Sequence, residues 1–198
     1  MDFKALIVIM MSAVLVNNYV LRQFLGVCPF LGVSKDLKSS VGMGLAVMFV
    51  MFMAASATWP IQVFLLNTNG LEFMQTVVFI LVIATLVQLV EIILKRYIPA
   101  LFASLGVYLP LMTTNCAVLA VTISNINKGY TYLESLVSAL GAGLGFFLAM
   151  VIFTGVRMHM ESADPPEAFK GVPITLISAA ILSLAFFGFE GVIENLFR

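Results

Sequence analysis

Apolar residues in this chain run in long blocks broken by short polar stretches. Six blocks reach membrane-spanning length, at roughly 4–33, 39–59, 72–94, 97–124, 132–156 and 172–196. A helix needs about 20 residues to cross about 30 Å of hydrocarbon. Four of the six blocks fit that length with some tilt. The first and fourth run close to thirty residues, too long for one straight crossing and too short for two. Both are interrupted, the first by Asn17-Asn18, Arg22 and Gly26-Val27-Cys28-Pro29, the fourth by Gly106, Pro110 and Thr113-Thr114-Asn115-Cys116. Proline removes a backbone donor and clashes with the preceding turn. Broken backbone at membrane depth survives only where protein or a cavity covers it. The pattern predicts an all-α integral membrane protein with six transmembrane helices, of which helices 1 and 4 are discontinuous or re-entrant.

Composition narrows the class. Of 198 residues 62% are hydrophobic and 10% charged, the mean hydropathy is +1.10 and the formal net charge is zero. A disordered chain needs few apolar residues and high net charge. A nucleic-acid partner needs a basic excess to neutralise phosphates, and none exists here. Twenty charges are also too few to cover the solvent-exposed surface of a water-soluble chain this small. Lys4 followed by Ala5–Val16 imitates a signal peptide. No small-x-small cleavage site follows, however, and the apolar run continues past Asn18, so the segment is kept as a membrane element. Odd-numbered connections hold Lys35, Lys38, Lys95, Arg96, Arg157 and Lys170, against Lys4, Lys128 and Arg198 on the opposite side. That bias predicts cytoplasmic odd loops and both termini on the outer side.

The chain also repeats itself. At a shift of 99 residues Gly42-Met43-Gly44-Leu45 meets Gly141-Ala142-Gly143-Leu144, and Glu91 meets Glu190. With a different gap, Cys28-Pro29-Phe30-Leu31-Gly32-Val33-Ser34 aligns with Cys116-Ala117-Val118-Leu119-Ala120-Val121-Thr122. Three spans per half is an odd number, so the second half enters the membrane upside down. The expected organisation is one membrane domain over 1–198, with inverted three-helix halves of about 1–96 and 97–198. Inverted repeats with broken helices place a site near the midplane at the repeat interface. Here that symmetry draws Cys28 and Cys116 toward a common axis.

The chemistry available is sparse: two cysteines, one histidine and one tryptophan. Ser-His-Asp hydrolysis and His-rich metal sites have almost no raw material. Buried cysteines often pack as small hydrophobes, and a disulfide is a second bland reading, disfavoured deep in a membrane. The sharper reading is thiolate ligation of iron. Iron–sulfur clusters take four cysteine ligands as a rule, so two would have to come from a partner. Gly26 and Gly32 flank Cys28, while Thr113, Thr114 and Asn115 precede Cys116. Donors of this kind near cluster sulfurs raise its potential, and small side chains equally serve helix packing.

The segments Val16-Asn17-Asn18-Tyr19-Val20-Leu21, Phe24-Leu25-Gly26-Val27-Cys28-Pro29-Phe30-Leu31-Gly32-Val33-Ser34-Lys35, Gly42-Met43-Gly44-Leu45-Ala46 and Leu109-Pro110-Leu111-Met112-Thr113-Thr114-Asn115-Cys116-Ala117-Val118-Leu119 carry a family resemblance. The chain resembles the A-type subunits of Rnf ion-translocating electron-transport complexes. Those are similar to the E-type subunit of the sodium-translocating NADH:quinone oxidoreductase. The likeness spans essentially the whole chain, including the Asp164-Pro165-Pro166 loop. It implies a six-helix component of the bacterial inner membrane that pairs with a homologue of opposite orientation, the Rnf E-type subunit. Two cysteines from each would hold one [2Fe-2S] cluster, and by motif position these are Cys28 and Cys116. Such complexes couple ferredoxin and NAD(H) redox chemistry to Na⁺ or H⁺ translocation. The B-, C-, D- and G-type subunits complete them, and flavins, NAD and the other iron–sulfur clusters belong to those other subunits. Arg157-Met158-His159-Met160-Glu161 and Glu190 depart from the family pattern, which leaves the cluster motifs untouched.

Ionisable residues within spans are functional candidates, because a charge at the bilayer centre costs about 3 kcal/mol or more. Arg22, Glu91 and Glu190 qualify. Glu91 lies four residues before Lys95, in the spacing of a helix-surface ion pair. Arg22 either balances the charge of a reduced cluster, snorkels, or pairs with another protein of the complex. The twelve methionines read as adaptable packing. The leading expectation is an electron-transfer component of a redox-driven ion translocase, not catalytic alone. The alternative is a small inverted-repeat transporter or channel with structural cysteines, and a third is a purely structural membrane component.

Overall fold

A computed structural model of the chain describes residues 3–34, 37–70, 72–97, 115–161, 166 and 169–188. All regular structure among the described residues is helical. The first predicted span is broken. Helix α1 (Phe3–Met11) runs into a π-helical turn at Ser12–Val16, helix is absent from 17 to 26, and α2 (Val27–Val33) follows. Asn18 accounts for the break. Its Oδ1 accepts from the backbone N–H of Val20 at 3.0 Å and of Leu21 at 3.4 Å, offering the chain a local alternative to the helix. Its Nδ2 donates to the Gly145 carbonyl at 2.8 Å, which fixes the break to a distant helix. Left-handed backbone at Phe24 (φ 53°) and Gly26 (φ 80°) then re-aims the chain into α2. Pro29 falls in the first turn of α2, where a missing N–H is harmless.

Helix α3 (Leu37–Ile61) continues through a π-helical turn at Gln62–Leu66 and ends in the short α4 (Asn67–Asn69). The sequence suggested a connection over 60–71, but the helix passes Pro60 and stops only at Gly70, in left-handed backbone (φ 67°). Proline withdraws one intrahelical donor. The wider turn that follows, with Asn67 N–H bonded to the Gln62 carbonyl, carries the mismatch without ending the rod. A 3₁₀ turn (Glu72–Met74) leads into α5 (Gln75–Tyr97). After the described residues resume come α6 (Cys116–Asn127), α7 (Tyr132–Glu161) and α8 (Val172–Phe187).

Three runs are long and apolar enough to cross a membrane: Leu37–Leu66, Gln75–Tyr97 and Tyr132–Met160. Leu6–Val16, Cys116–Asn127 and Val172–Phe187 are shorter apolar helices. The first part of the predicted fourth span, 98–114, and the end of the sixth, 189–196, lie outside the described residues.

α3 and α7 form the centre. A methyl group built on Gly44 would lie 2.7 Å from Phe147 Cδ2, and one built on Gly143 would lie 2.9 Å from Met48 Cα. Thr154 Oγ1 donates to Ser40 Oγ at 2.8 Å, and Tyr132 bonds Ser56 and stacks edge-on against Trp59 at the other end. As one helix advances from 40 to 59 the other retreats from 154 to 132, so the two are antiparallel. Met43, Val47, Met51, Phe146, Met150 and Phe153 fill the space between elements. Glycine lets the backbones approach where lipid offers no hydrophobic drive for association.

The other face of α7 receives the first span. Gly141 lies against the backbone of Met10, and Gly145 against the carbonyls of Ala13 and Val14. Further along, Arg157 donates to the Leu31 carbonyl at the end of α2. α1 and α2 therefore follow α7 in one direction along its length. The described part of the first block is interrupted and does not turn back along α7. α5 sits outermost, with Val77, Ile80, Leu81, Leu89 and Ile92 exposed.

Candidate functional site

Two helix beginnings meet at the middle of the molecule. Gly26, two residues before Cys28, packs into a niche made by the second half. A methyl group there would lie 2.9 Å from Asn115 Oδ1, 3.0 Å from Phe146 Cε2 and 3.2 Å from Ala117 Cβ. Only a residue without Cβ fits so closely, and φ of +80° reinforces that choice. Asn115 and Ala117 flank Cys116, and Phe146 stands half way along the thirty residues of α7. The segments bearing Cys28 and Cys116 are thus in contact, at mid-height of the longest helix.

Each cysteine sits in the first turn of its helix. Cys28 is the second residue of α2, and Cys116 the first of α6. Asn115 caps α6, its Oδ1 accepting from Ala117 N–H at 3.0 Å and its carbonyl from Val118 N–H at 3.1 Å. Both residues are reduced cysteines and both are exposed. Cysteines that merely fill a core would be covered by their own chain. These open on the outer surface of the helix assembly, where a second protein can reach them.

The donor set suits half an iron–sulfur site. No group of three or more His, Cys, Asp or Glu converges among the described residues, so these residues alone do not enclose a metal ion. Asn115 Nδ2 is buried without a hydrogen-bond partner among the described residues. Leaving such a donor unmatched costs about 1–3 kcal/mol. Two cysteines on touching segments and an unmatched N–H next to one of them in sequence are a donor set that an iron–sulfur group could use.

Other sequence candidates fall elsewhere. Arg22 is exposed, donates to Asn17 Oδ1 at 2.9 Å and lies 6.0 Å from the Phe187 ring centroid. These contacts tie it to its own break and to α8. Glu91 is half-buried in α5. Glu190, Thr113 and Thr114 lie outside the described residues.

Sequence reading missed the part played by Arg157, which appears there as a loop cation and in a stretch that departs from the family pattern. One of its guanidinium nitrogens donates to the Leu31 carbonyl and to Ser34 Oγ, both at 2.8 Å, holding the C-terminal end of α2. Trp59 plays a parallel part at the other end, its indole N–H donating to the Tyr130 carbonyl just beyond α6 at 2.9 Å. The clue to Arg157 was its place ahead of the polar loop at the end of a long apolar block.

Comparison with known proteins agrees with this anatomy. A family described as "Rnf-Nqr subunit, membrane protein" matches residues 6–193. The A-type subunit of the ion-translocating oxidoreductase complex of Syntrophotalea carbinolica is 52% identical over 97% of this chain and 100% of its own. Its counterpart in the Na⁺-translocating ferredoxin:NAD⁺ oxidoreductase complex of Acetobacterium woodii is 52% identical, over 94% of this chain and 97% of its own. The corresponding protein of the ion-translocating oxidoreductase complex of Serratia proteamaculans is 48% identical, over 95% and 97%.

Proposed function

The chain belongs to the Rnf-Nqr family of membrane subunits, and from that premise we propose that it is the A-type subunit of an ion-translocating ferredoxin:NAD⁺ oxidoreductase. In this reading Cys28 and Cys116 supply two of the four ligands of a [2Fe-2S] cluster. A homologue of opposite orientation, the Rnf E-type subunit, supplies the other two. The B-, C-, D- and G-type subunits hold the flavins, NAD and remaining clusters. The assembly lies in the bacterial inner membrane, with both termini of this chain outside, and couples electron flow to Na⁺ or H⁺ movement. The single observation that carries the reading is the contact of Gly26 with Asn115 and Ala117, which joins the segments bearing the two cysteines of the chain, both of them exposed.

The packing supports an inverted repeat with halves of about 1–96 and 97–198 in one membrane domain. Gly44 meets Phe147, while Gly143 meets Met48. Each pair is the other with halves exchanged at the shift of 99 residues, the reciprocity that a two-fold axis imposes. α1 parallel to α7 and α3 antiparallel to it are also the senses that six alternating crossings require.

The residues of the chain have separate tasks. Gly26 permits the close approach, Asn18 ties the break in the first span to α7, and Asn115 orders the start of α6. Arg157 fixes the far end of α2 and so the orientation of its first turn. When bound, the cluster would store one electron at mid-membrane, between carriers on either side. Phe146, fully buried, backs the niche that receives Gly26.

The test is visible absorption and electron paramagnetic resonance of the purified complex, with Cys28→Ser and Cys116→Ser as variants. The expected result is an iron–sulfur signal in the parent complex that both substitutions abolish. A parent signal indifferent to both substitutions overturns the assignment, and substrate flux through this chain alone in liposomes supports the transporter reading instead.

A further inference from the structure

Four buried side-chain polar atoms lack a partner among the described residues: Gln62 Oε1, Gln75 Nε2, Ser135 Oγ and Asn115 Nδ2. The last is directly adjacent to a cysteine in sequence. Asn115 is only 5% exposed, so water does not satisfy its amide. The identity of the unmatched atom is fixed, because Ala117 N–H donates to the other amide atom, which must therefore be the oxygen. That oxygen lies against Gly26. The amide is thus clamped at the junction of the two cysteine-bearing segments, its acceptor used and its donor held open. Capping explains the acceptor. It does not explain burial of an open donor, for which serine would serve as well without the penalty.

We infer that Asn115 tunes the redox group: its Nδ2–H donates a hydrogen bond to a sulfur of the cluster held at Cys28 and Cys116, and thereby raises the reduction potential. This inference rests on the cluster assignment proposed above. A donor to a cluster sulfur withdraws negative charge, and the reduced state carries one more negative charge than the oxidised state. The bond therefore favours reduction. Asn115 acts on the potential without being a ligand.

The test uses the intact complex and a redox titration followed by electron paramagnetic resonance. Asn115→Asp keeps the shape and the capping oxygen but replaces the donor with an acceptor. Asn115→Ser keeps a capping oxygen and deletes the amide. At the potential where the parent cluster is half reduced, the reduced-to-oxidised ratio is expected to fall about ten-fold in Asn115→Asp, equivalent to about 59 mV for one electron. A smaller fall is expected in Asn115→Ser. A second measurement needs no substitution. Complex labelled with ¹⁵N-asparagine and examined by pulsed resonance should show a nitrogen coupling to the reduced cluster, with an exchangeable proton beside it. Unchanged midpoints in both variants overturn the inference, even if their melting temperatures fall, because capping alone explains lost stability. Absence of the nitrogen coupling in the labelled complex overturns it too. A parent complex without a signal that depends on Cys28 and Cys116 overturns the cluster assignment itself, an outcome distinct from both.

Discussion

α2 and α6 begin on similar cysteine segments, yet different forces hold them. α2 has seven residues and starts from Gly26 with no side-chain cap. α6 has twelve and starts from Asn115, whose side chain caps it. At the aligned positions Leu31 and Leu119 the contrast is sharpest. The Leu31 carbonyl is bonded by Arg157, more than one hundred residues away, whereas the Leu119 carbonyl is bonded by Thr122 of its own helix at 2.8 Å. The Val33 carbonyl likewise depends on Ser40 of α3. A helix of two turns is marginal alone, so α2 is a tertiary structure in helical form. α6 carries more of its own support, and Asn125 anchors its end to α7 through Ser135 and Ser138. The two cysteines are therefore presented by one helix that carries much of its own support and by one that depends on its neighbours.

That difference can be broken from either side. The largest effect is expected where the two segments touch. Gly26→Val forces a branched side chain into left-handed backbone and onto Asn115 and Phe146, which should cost about 3 kcal/mol or more. Both cysteines should lose their order together, seen as a lower melting temperature in detergent and loss of any cysteine-dependent signal. A variant as stable as the parent would mean that the niche is not closed.

The reciprocal glycines come next. Gly44→Ala and Gly143→Ala should each destabilise by about 1–3 kcal/mol through overpacking. Gly143→Ala should be the worse, because the added methyl meets the Met48 backbone at 2.9 Å, against 3.3 Å to the Phe147 backbone for Gly44. Thermal denaturation of the pair reads both the size and the order, and a large effect in only one would count against equivalence of the halves.

Arg157→Ala should remove about 2 kcal/mol from charged hydrogen bonding and loosen α2 selectively. Maleimide labelling of Cys28 should accelerate while that of Cys116 stays as it was. Equal acceleration at both sites would contradict the division drawn here. Arg157→Lys should restore only part of the effect, since an ammonium does not reproduce the planar donor geometry. The smallest change is expected from Asn115→Ala, about 1 kcal/mol for the lost cap, offset in part by removal of the open donor. Hydrogen exchange should quicken in the first turn of α6 and not in α2.

Much of this was written in the residues. Apolar block length gave the long helices, and Asn17-Asn18 and Gly26 inside the over-long first block marked its interruption. The paired motifs pointed to Cys28 and Cys116. The second apolar block ends at 59, yet the helix passes Pro60 and continues through a π-helical turn to Asn69. Arg157 also escaped, because its partners are the backbone and a hydroxyl of α2 rather than an opposite charge, and backbone acceptors leave no trace in a sequence. Whether the first block bends back or carries through depended on which part of α7 each piece touches.

The sequence by itself determined that this is a helical membrane chain, because backbone groups in hydrocarbon must be satisfied internally and the apolar blocks have the length of helices, not of barrel strands. Tertiary structure alone decided that the two cysteine-bearing segments meet at Gly26 and Asn115 half way along α7, and that α2 is held by Arg157. Such contacts depend on the crossing of helices far apart in the chain, set by glycine-permitted close approach, which local pattern does not encode.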